Sequence, residues 1–222
     1  MWTKTQVART IDHAVLKPFA TDQEIIAACA LAREYHIASV CVRPTDVALA
    51  AHELAGSDVV PSVVIGFPHG ANRPEVKALE ARLAIQDGAR ELDMVLNIGK
   101  FLSGDLDHVQ RDIAAVVAEA RPHGVLVKVI LETCYLTLEQ VAAACKLAEA
   151  AGADYVKTST GFGDGGATPA VIAVMIQTVG QTMGVKASGG VRSYATAAAY
   201  LDQGCQRLGA TATKAIVDEA PA

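Results

Sequence analysis

Charged and nucleophilic side chains stand inside β-branched runs of this chain, where a packed sheet calls for apolar ones: Asp12, Cys41, Glu91, Asp93, Lys128, Glu132, Lys157 and Lys186. Side chains alternate across a strand, so each run has two faces. Leu92, Met94 and Leu96 share one face of their run, and Glu91, Asp93, Val95 and Asn97 share the other. The same parity groups Lys128 with Ile130 and Glu132, Tyr155 with Lys157 and Ser159, and Lys186 with Ser188, and Asp12 and Cys41 join them. Two lysines beside a carboxylate suit amine catalysis on a carbonyl. A lysine attacks only as the neutral amine, yet its ordinary pKa is about 10.4. A second ammonium at about 5 Å, at an effective dielectric near 20, contributes roughly 3.3 kcal/mol of repulsion, which brings one amine to about 8. The carboxylate then moves protons through carbinolamine, imine and enamine stages. The residues alone leave open which lysine attacks. They also leave open a second reading, an internal salt-bridge network that only fixes the fold.

Glycine-rich segments follow three of these runs. Ser188-Gly189-Gly190-Val191-Arg192 opens a helical stretch, and Gly209-Ala210-Thr211 follows the last strand. Backbone N–H groups, a helix N-terminus and the missing Cβ suit both to an anion such as phosphate, although glycine also serves any tight turn. Gly161-Phe162-Gly163-Asp164-Gly165-Gly166 reads either as a mobile cover or as a plain flexible turn.

The elements that must position these groups alternate without exception. Strands are expected at 9–16, 38–43, 59–67, 90–97, 125–133, 153–160, 184–188 and 205–211, and helices at 22–35, 45–55, 73–87, 105–122, 137–151, 168–180 and 193–203. Thr21 with Glu24 and Thr137 with Gln140 fit the capping box, and Thr168-Pro169 places a cap before a first-turn proline. Gly88, Gly124, Gly152 and Gly204 stand where helices stop. Strict alternation of this kind predicts parallel strands in an α/β fold, a (β/α)₈ TIM barrel forming one domain over 1–222. An open doubly wound sheet is the competing architecture, disfavoured because Lys17-Pro18-Phe19-Ala20 follows the first strand in place of GxGxxG.

With 19 Lys and Arg against 24 Asp and Glu, the net charge of -5 argues against nucleic acid as a partner. The apolar stretches fall short of a membrane span, and Met-Trp-Thr-Lys-Thr-Gln lacks a signal-peptide apolar region, so a cytoplasmic protein with no membrane partner is expected. Five cysteines without CxxC spacing suit reduced thiols, and the six histidines show no HxH or HExxH pairing, so neither a metal nor a cofactor is expected.

The motifs together are similar to those of deoxyribose-phosphate aldolases, class I aldolases, over about residues 9–213. They are Ile11-Asp12-His13, Val40-Cys41-Val42, Gly66-Phe67-Pro68-His69-Gly70, Glu91-Leu92-Asp93-Met94-Val95, Lys128-Val129-Ile130-Leu131-Glu132-Thr133, Val156-Lys157-Thr158-Ser159-Thr160-Gly161 and Val185-Lys186-Ala187-Ser188-Gly189-Gly190-Val191-Arg192. The resemblance implies reversible cleavage of 2-deoxy-D-ribose 5-phosphate to D-glyceraldehyde 3-phosphate and acetaldehyde, so the partners expected are small phosphosugars and aldehydes. It implies Lys157 as the Schiff-base lysine, Lys186 as the partner that depresses its pKa, Asp93 as the proton-transfer carboxylate working with a water, and Asp12 as the residue tying the charges together. Gly161, Gly189, Gly190, Val191, Arg192, Gly209 and Thr211 fall on its phosphate-contacting segments. Ala14 replaces a threonine of the family pattern, Phe162 stands where some relatives carry a phosphate-binding lysine, Ala212 replaces a hydroxyl, and the segment after Thr213 contains no tyrosine.

Of the remaining residues, His13 is turned by alternation away from Asp12 into a structural role, His69 is a weaker site candidate, and His36, His52, His108 and His123 read as surface. Cys29 and Cys145 read as core, whereas Cys41 falls near the barrel mouth, as a packed thiol or beside a bound aldehyde. A phosphosugar isomerase and a non-catalytic phosphometabolite-binding barrel remain as other functions. Oligomeric state is not written in these residues, but barrels of this kind often pair, so a homodimer is the assembly to look for.

Overall fold

The computed structural model describes residues 1–222. Eight strands, β1 (Ile11–Val15), β2 (Ser39–Val42), β3 (Val60–Ile65), β4 (Glu91–Val95), β5 (Leu126–Ile130), β6 (Tyr155–Lys157), β7 (Gly184–Ser188) and β8 (Arg207–Ala210), close in sequence order into a parallel barrel. Each lies within its expected segment. The open-sheet alternative is excluded by the pairing of β1 with β8, Asp12 beside Gly209.

Ten helices surround the barrel: α1 (Lys4–Ala8), α2 (Asp22–Tyr35), α3 (Val47–Glu53), α4 (Pro74–Gln86), α5 (Ile98–Leu102), α6 (Leu106–Ala120), α7 (Leu138–Ala150), α8 (Pro169–Val179), α9 (Tyr194–Asp202) and α10 (Thr213–Asp218). Thr21 and Thr137 open α2 and α7 as capping boxes, with Glu24 and Gln140 accepting their N–H groups at 2.7 and 2.9 Å. Gly88, Gly124, Gly152 and Gly204 all take the left-handed conformation expected of helix stops. Three short helices were not foreseen, α1, α5 and α10. Segments of five or six residues cannot repay helix nucleation alone, so their sequences carry little periodic signal. No helix is long and apolar enough to cross a membrane.

The hydrophobic core lies between barrel and helices. Val40, Val42, Leu92, Met94, Val127, Val129, Val156, Val185, Ala187 and Leu208 face outward into it and are fully buried. That leaves the opposite faces of the same strands to fill the barrel interior, and there the charged residues collect.

Candidate functional site

Within the barrel, six ionic side chains from five strands form a closed ring of alternating sign. Arg207 Nη2 donates to Glu91 Oε1 at 2.5 Å, and Lys128 Nζ donates to Glu91 Oε2 at 2.6 Å and to Asp93 Oδ1 at 2.8 Å. Lys186 Nζ donates to Asp93 Oδ2 at 2.7 Å and lies 2.5 Å from Asp12 Oδ2, and Asp12 Oδ1 closes the ring on Arg207 Nη1. Ser39 Oγ donates to the same Asp12 oxygen at 2.7 Å. Three cations balance three anions. The salt-bridge network is therefore present, and the catalytic candidates Asp12, Asp93 and Lys186 are members of it.

Lys157 is the seventh member. Its Nζ donates to Asp93 Oδ2 at 2.8 Å, the oxygen that Lys186 also uses. Sharing one acceptor caps the separation of the two amines at the sum of those distances, about 5.5 Å. Lys157 has no carboxylate of its own, since the ring is already neutral. Burial, reinforced by the Lys186 charge and only partly offset by Asp93, holds its amine below the usual lysine range. Lys186 and Lys128 move the other way: burial opposes their charge, but Asp12 and Asp93 outweigh it for Lys186, and Asp93, Asp12 and Glu91 for Lys128. Burial would raise Asp93, yet Lys128, Lys157 and Lys186 hold it well below the usual carboxylate range. Asp12 is likewise depressed against its burial, by Lys186, Lys128 and Arg207.

Local sequence explains how the C-terminal ends of β6 and β7, which carry Lys157 and Lys186, are held together. Just past β6 the Thr158 N–H still donates to the Lys186 carbonyl at 3.1 Å, and the hydroxyls of Thr158 and Ser188 add to that pairing. Thr158 Oγ1 donates to the Ser188 carbonyl at 2.8 Å, and Ser188 Oγ donates to the Ser159 carbonyl at 2.6 Å. The two lysine-bearing strand ends are thereby stitched together.

Above the lysines lies a cavity of about 190 Å³ lined by Asp12, Cys41, Lys157, Lys186, Gly161, Gly189, Gly190, Val191, Arg192, Gly209 and Thr211, with Ala14, Leu16, Thr160, Ser188 and Ala210 completing the wall. Two of the candidates are absent from the lining: Asp93, which is wholly buried beneath the lysines, and the weaker candidate His69, which is exposed outside the cavity. Gly161, Gly189 and Gly190 have φ of 86°, 83° and 89°, the left-handed region that favours glycine. Gly209 is small for another reason: a Cβ there would come within 2.8 Å of Ser188 Cβ and 3.4 Å of Lys186 Cε. Cys41 is buried, and burial, then the Asp93 charge, push its thiol up.

Phe162 does not line this cavity. Its ring packs edge-on against Phe67 at 5.2 Å and faces the neighbouring clefts. His13 is structural as expected, its Nδ1 2.8 Å from Thr213 Oγ1, whereas His108 is half-buried on α6, not on the surface. The reading from sequence missed Arg207 and Ser39. Arg207 stands two residues before Gly209 on β8, so the strand parity that turned Gly209 to the site already turned Arg207 inward.

Residues 6–212 match the family model described as DeoC/LacD family aldolase. The chain is 54% identical to deoxyribose-phosphate aldolase of Clostridium perfringens, over 97% of this chain and 96% of that protein. It is 55% identical to the Streptococcus gordonii deoxyribose-phosphate aldolase, over 93% of each. Among solved structures, the tetrameric deoxyribose phosphate aldolase of Aeropyrum pernix superposes with a TM-score of 0.91 at 30% identity, covering 97% of this chain and 91% of that one.

Proposed function

This chain belongs to the deoxyribose-phosphate aldolase family, and from that premise we propose that it is a metal-independent class I aldolase that reversibly cleaves 2-deoxy-D-ribose 5-phosphate through a Schiff base on Lys157. The observation that carries the choice of lysine is the charge count: Lys157 is the one ammonium in excess of a neutral ring, and it opens onto the cavity. Lys128 and Lys186 are each claimed by carboxylates and remain protonated.

The neutral Lys157 amine attacks the C1 aldehyde of the open-chain sugar, and loss of water gives the iminium. Removing the proton from the C3 hydroxyl then breaks the C2–C3 bond. Glyceraldehyde 3-phosphate leaves with the new carbonyl, and the bonding pair stays on C2 as an enamine. Protonation at C2 and hydrolysis release acetaldehyde and restore the amine. In the resting site Asp93, which accepts from the amines of Lys128, Lys157 and Lys186, is a weak base. Conversion of Lys157 to the iminium removes N–H donors from Oδ2, which frees that oxygen to pass protons through a water. Asp12 keeps Lys186 charged, and Lys186 in turn keeps Lys157 neutral. The phosphate is received by Gly161, Gly189, Gly190, Val191, Arg192, Gly209 and Thr211, where the left-handed glycines leave backbone N–H groups accessible. Cys41 lines the wall beside the aldehyde carbon.

Borohydride reduction in the presence of acetaldehyde tests the assignment. One adduct, on Lys157, is expected, along with release of glyceraldehyde 3-phosphate from the sugar phosphate and no loss of activity after chelation. An adduct on Lys128 or Lys186 overturns the choice of nucleophile. Absence of any adduct refutes the aldolase reading, leaving an isomerase if the phosphosugar turns over and a binding barrel if it does not.

A further inference from the structure

Glu132 has no part in the chemistry above, yet it is among the most constrained residues of the chain. It follows β5 with φ 53°, a left-handed conformation taken by only one other non-glycine residue, His36, and it is 2% exposed. The N–H of Leu131 donates to the Lys157 carbonyl at 2.9 Å and that of Thr133 to the Thr158 carbonyl at 3.0 Å. Two steps along β5 thus match one along β6, so Glu132 is the extra residue of a bulge, a feature that re-aims a side chain next to a site. Strand parity places Glu132 with Lys128 on the inward face. The bulge instead delivers its carboxylate to the loop after β6, where every partner is neutral. Its two oxygens lie 3.2 and 3.3 Å from the Thr160 nitrogen, and Oε2 also accepts the Thr160 hydroxyl. Thr160 Oγ1 in turn accepts the Phe162 N–H at 3.0 Å.

The loop beyond is packed against the same residue. A Cβ at Gly163 would come within 3.0 Å of Cys134 Sγ and 3.3 Å of Glu132 Cδ, and one at Gly166 would run into the Gly189 carbonyl. Gly163, Gly165 and Gly166 are therefore packed between Glu132, Cys134 and the glycine loop after β7.

We propose that Glu132 is a positioning residue for anion binding: through Thr160 it fixes Gly161 and the 163–166 segment against Gly189, and so sets the affinity of the cavity for the phosphate group. The inference rests on the phosphate reading of that cavity. Inorganic phosphate binding by calorimetry, and the rate of borohydride trapping with acetaldehyde, are compared for the unmodified protein, Glu132→Gln, Thr160→Val and Thr160→Ser. Glu132→Gln keeps the volume but offers an amide donor to a group that already donates. In both Glu132→Gln and Thr160→Val the phosphate Kd rises at least tenfold, and by at least five times the fall in trapping rate, whereas Thr160→Ser, which keeps the hydroxyl, restores binding to within threefold. An unchanged Kd in the first two variants overturns the inference. So do losses of equal size in the two measurements, the mark of a general loosening, and so does an unmodified protein that does not bind phosphate. If the unmodified protein gives no trapped adduct while the Kd pattern holds, the aldolase reading fails and the role of Glu132 stands. If it gives a trapped adduct while the Kd is unchanged in the variants, the role of Glu132 fails and the aldolase reading stands.

Discussion

Replacing Lys186 by leucine removes one of the two ammonium groups that share Asp93 Oδ2. With the amines no more than about 5.5 Å apart, their repulsion at an effective dielectric near 20 is at least about 3 kcal/mol, or roughly 2.2 pKa units. Asp93 loses a competing donor at the same time and pairs more strongly with Lys157. Both changes favour the ammonium form of Lys157. Burial, the largest cause of its depressed pKa, is untouched, so the amine regains only part of the shift. Since only the neutral amine attacks, kcat/KM near pH 7 falls about 150-fold, and activity returns as the pH rises through the new pKa. The assay is the pH profile of kcat/KM for the retro-aldol reaction from pH 6 to 10, run beside the trapping rate with acetaldehyde. An acid limb displaced upward by about 2 units is the expected result. A limb that does not move, with activity lowered equally at every pH, refutes the electrostatic account and makes Lys186 a proton donor or a spacer.

Arg207→Met opens the charge ring at its base and leaves Glu91 and Asp12 short of a cation, so chemical denaturation should show a loss of about 3 to 5 kcal/mol; a change below about 1 kcal/mol would show that the ring closes without it. Acid should unfold the protein for a related reason. Asp12 and Asp93 have folded pKa values below their ordinary ones, so their stabilisation is complete above the unfolded value of about 3.9 and is lost as pH falls below it. Denaturation midpoints that stay level from pH 6 to 3 would contradict this. Cys41 lines the lysine cavity with its thiol pushed up, so an α,β-unsaturated aldehyde should inactivate the enzyme faster at pH 9 than at pH 7, and Cys41→Met should resist. Equal inactivation of both proteins removes Cys41 from the explanation.

The sequence alone determined what depends on short-range pattern. The alternation of β-branched runs with capped, glycine-stopped helices leads to the barrel, because caps, stops and side-chain alternation are local consequences of backbone geometry. Parity then carried Asp12, Asp93, Lys157 and Lys186 to one interior, and the order of the strands carried the glycine loops to its rim. Which charge pairs with which was not legible, since pairing depends on barrel closure: Arg207 meets Glu91 and Asp12 only because β8 returns to β1. The same limit hid the Lys77–Asp112 pair, 2.5 Å long and fully buried between α4 and α6, two helices that meet through packing. It hid the position of Phe162 on Phe67 as well, because a glycine-rich segment carries no pattern that fixes its side chains. Glu132 shows the boundary most sharply. Its parity was right for an ideal strand, and a single left-handed residue, selected by the neighbouring strand and loop, turned its carboxylate to Thr160. Identifying the free lysine required the whole ring, because the protonation of one buried amine depends on the charges that the tertiary fold gathers around it.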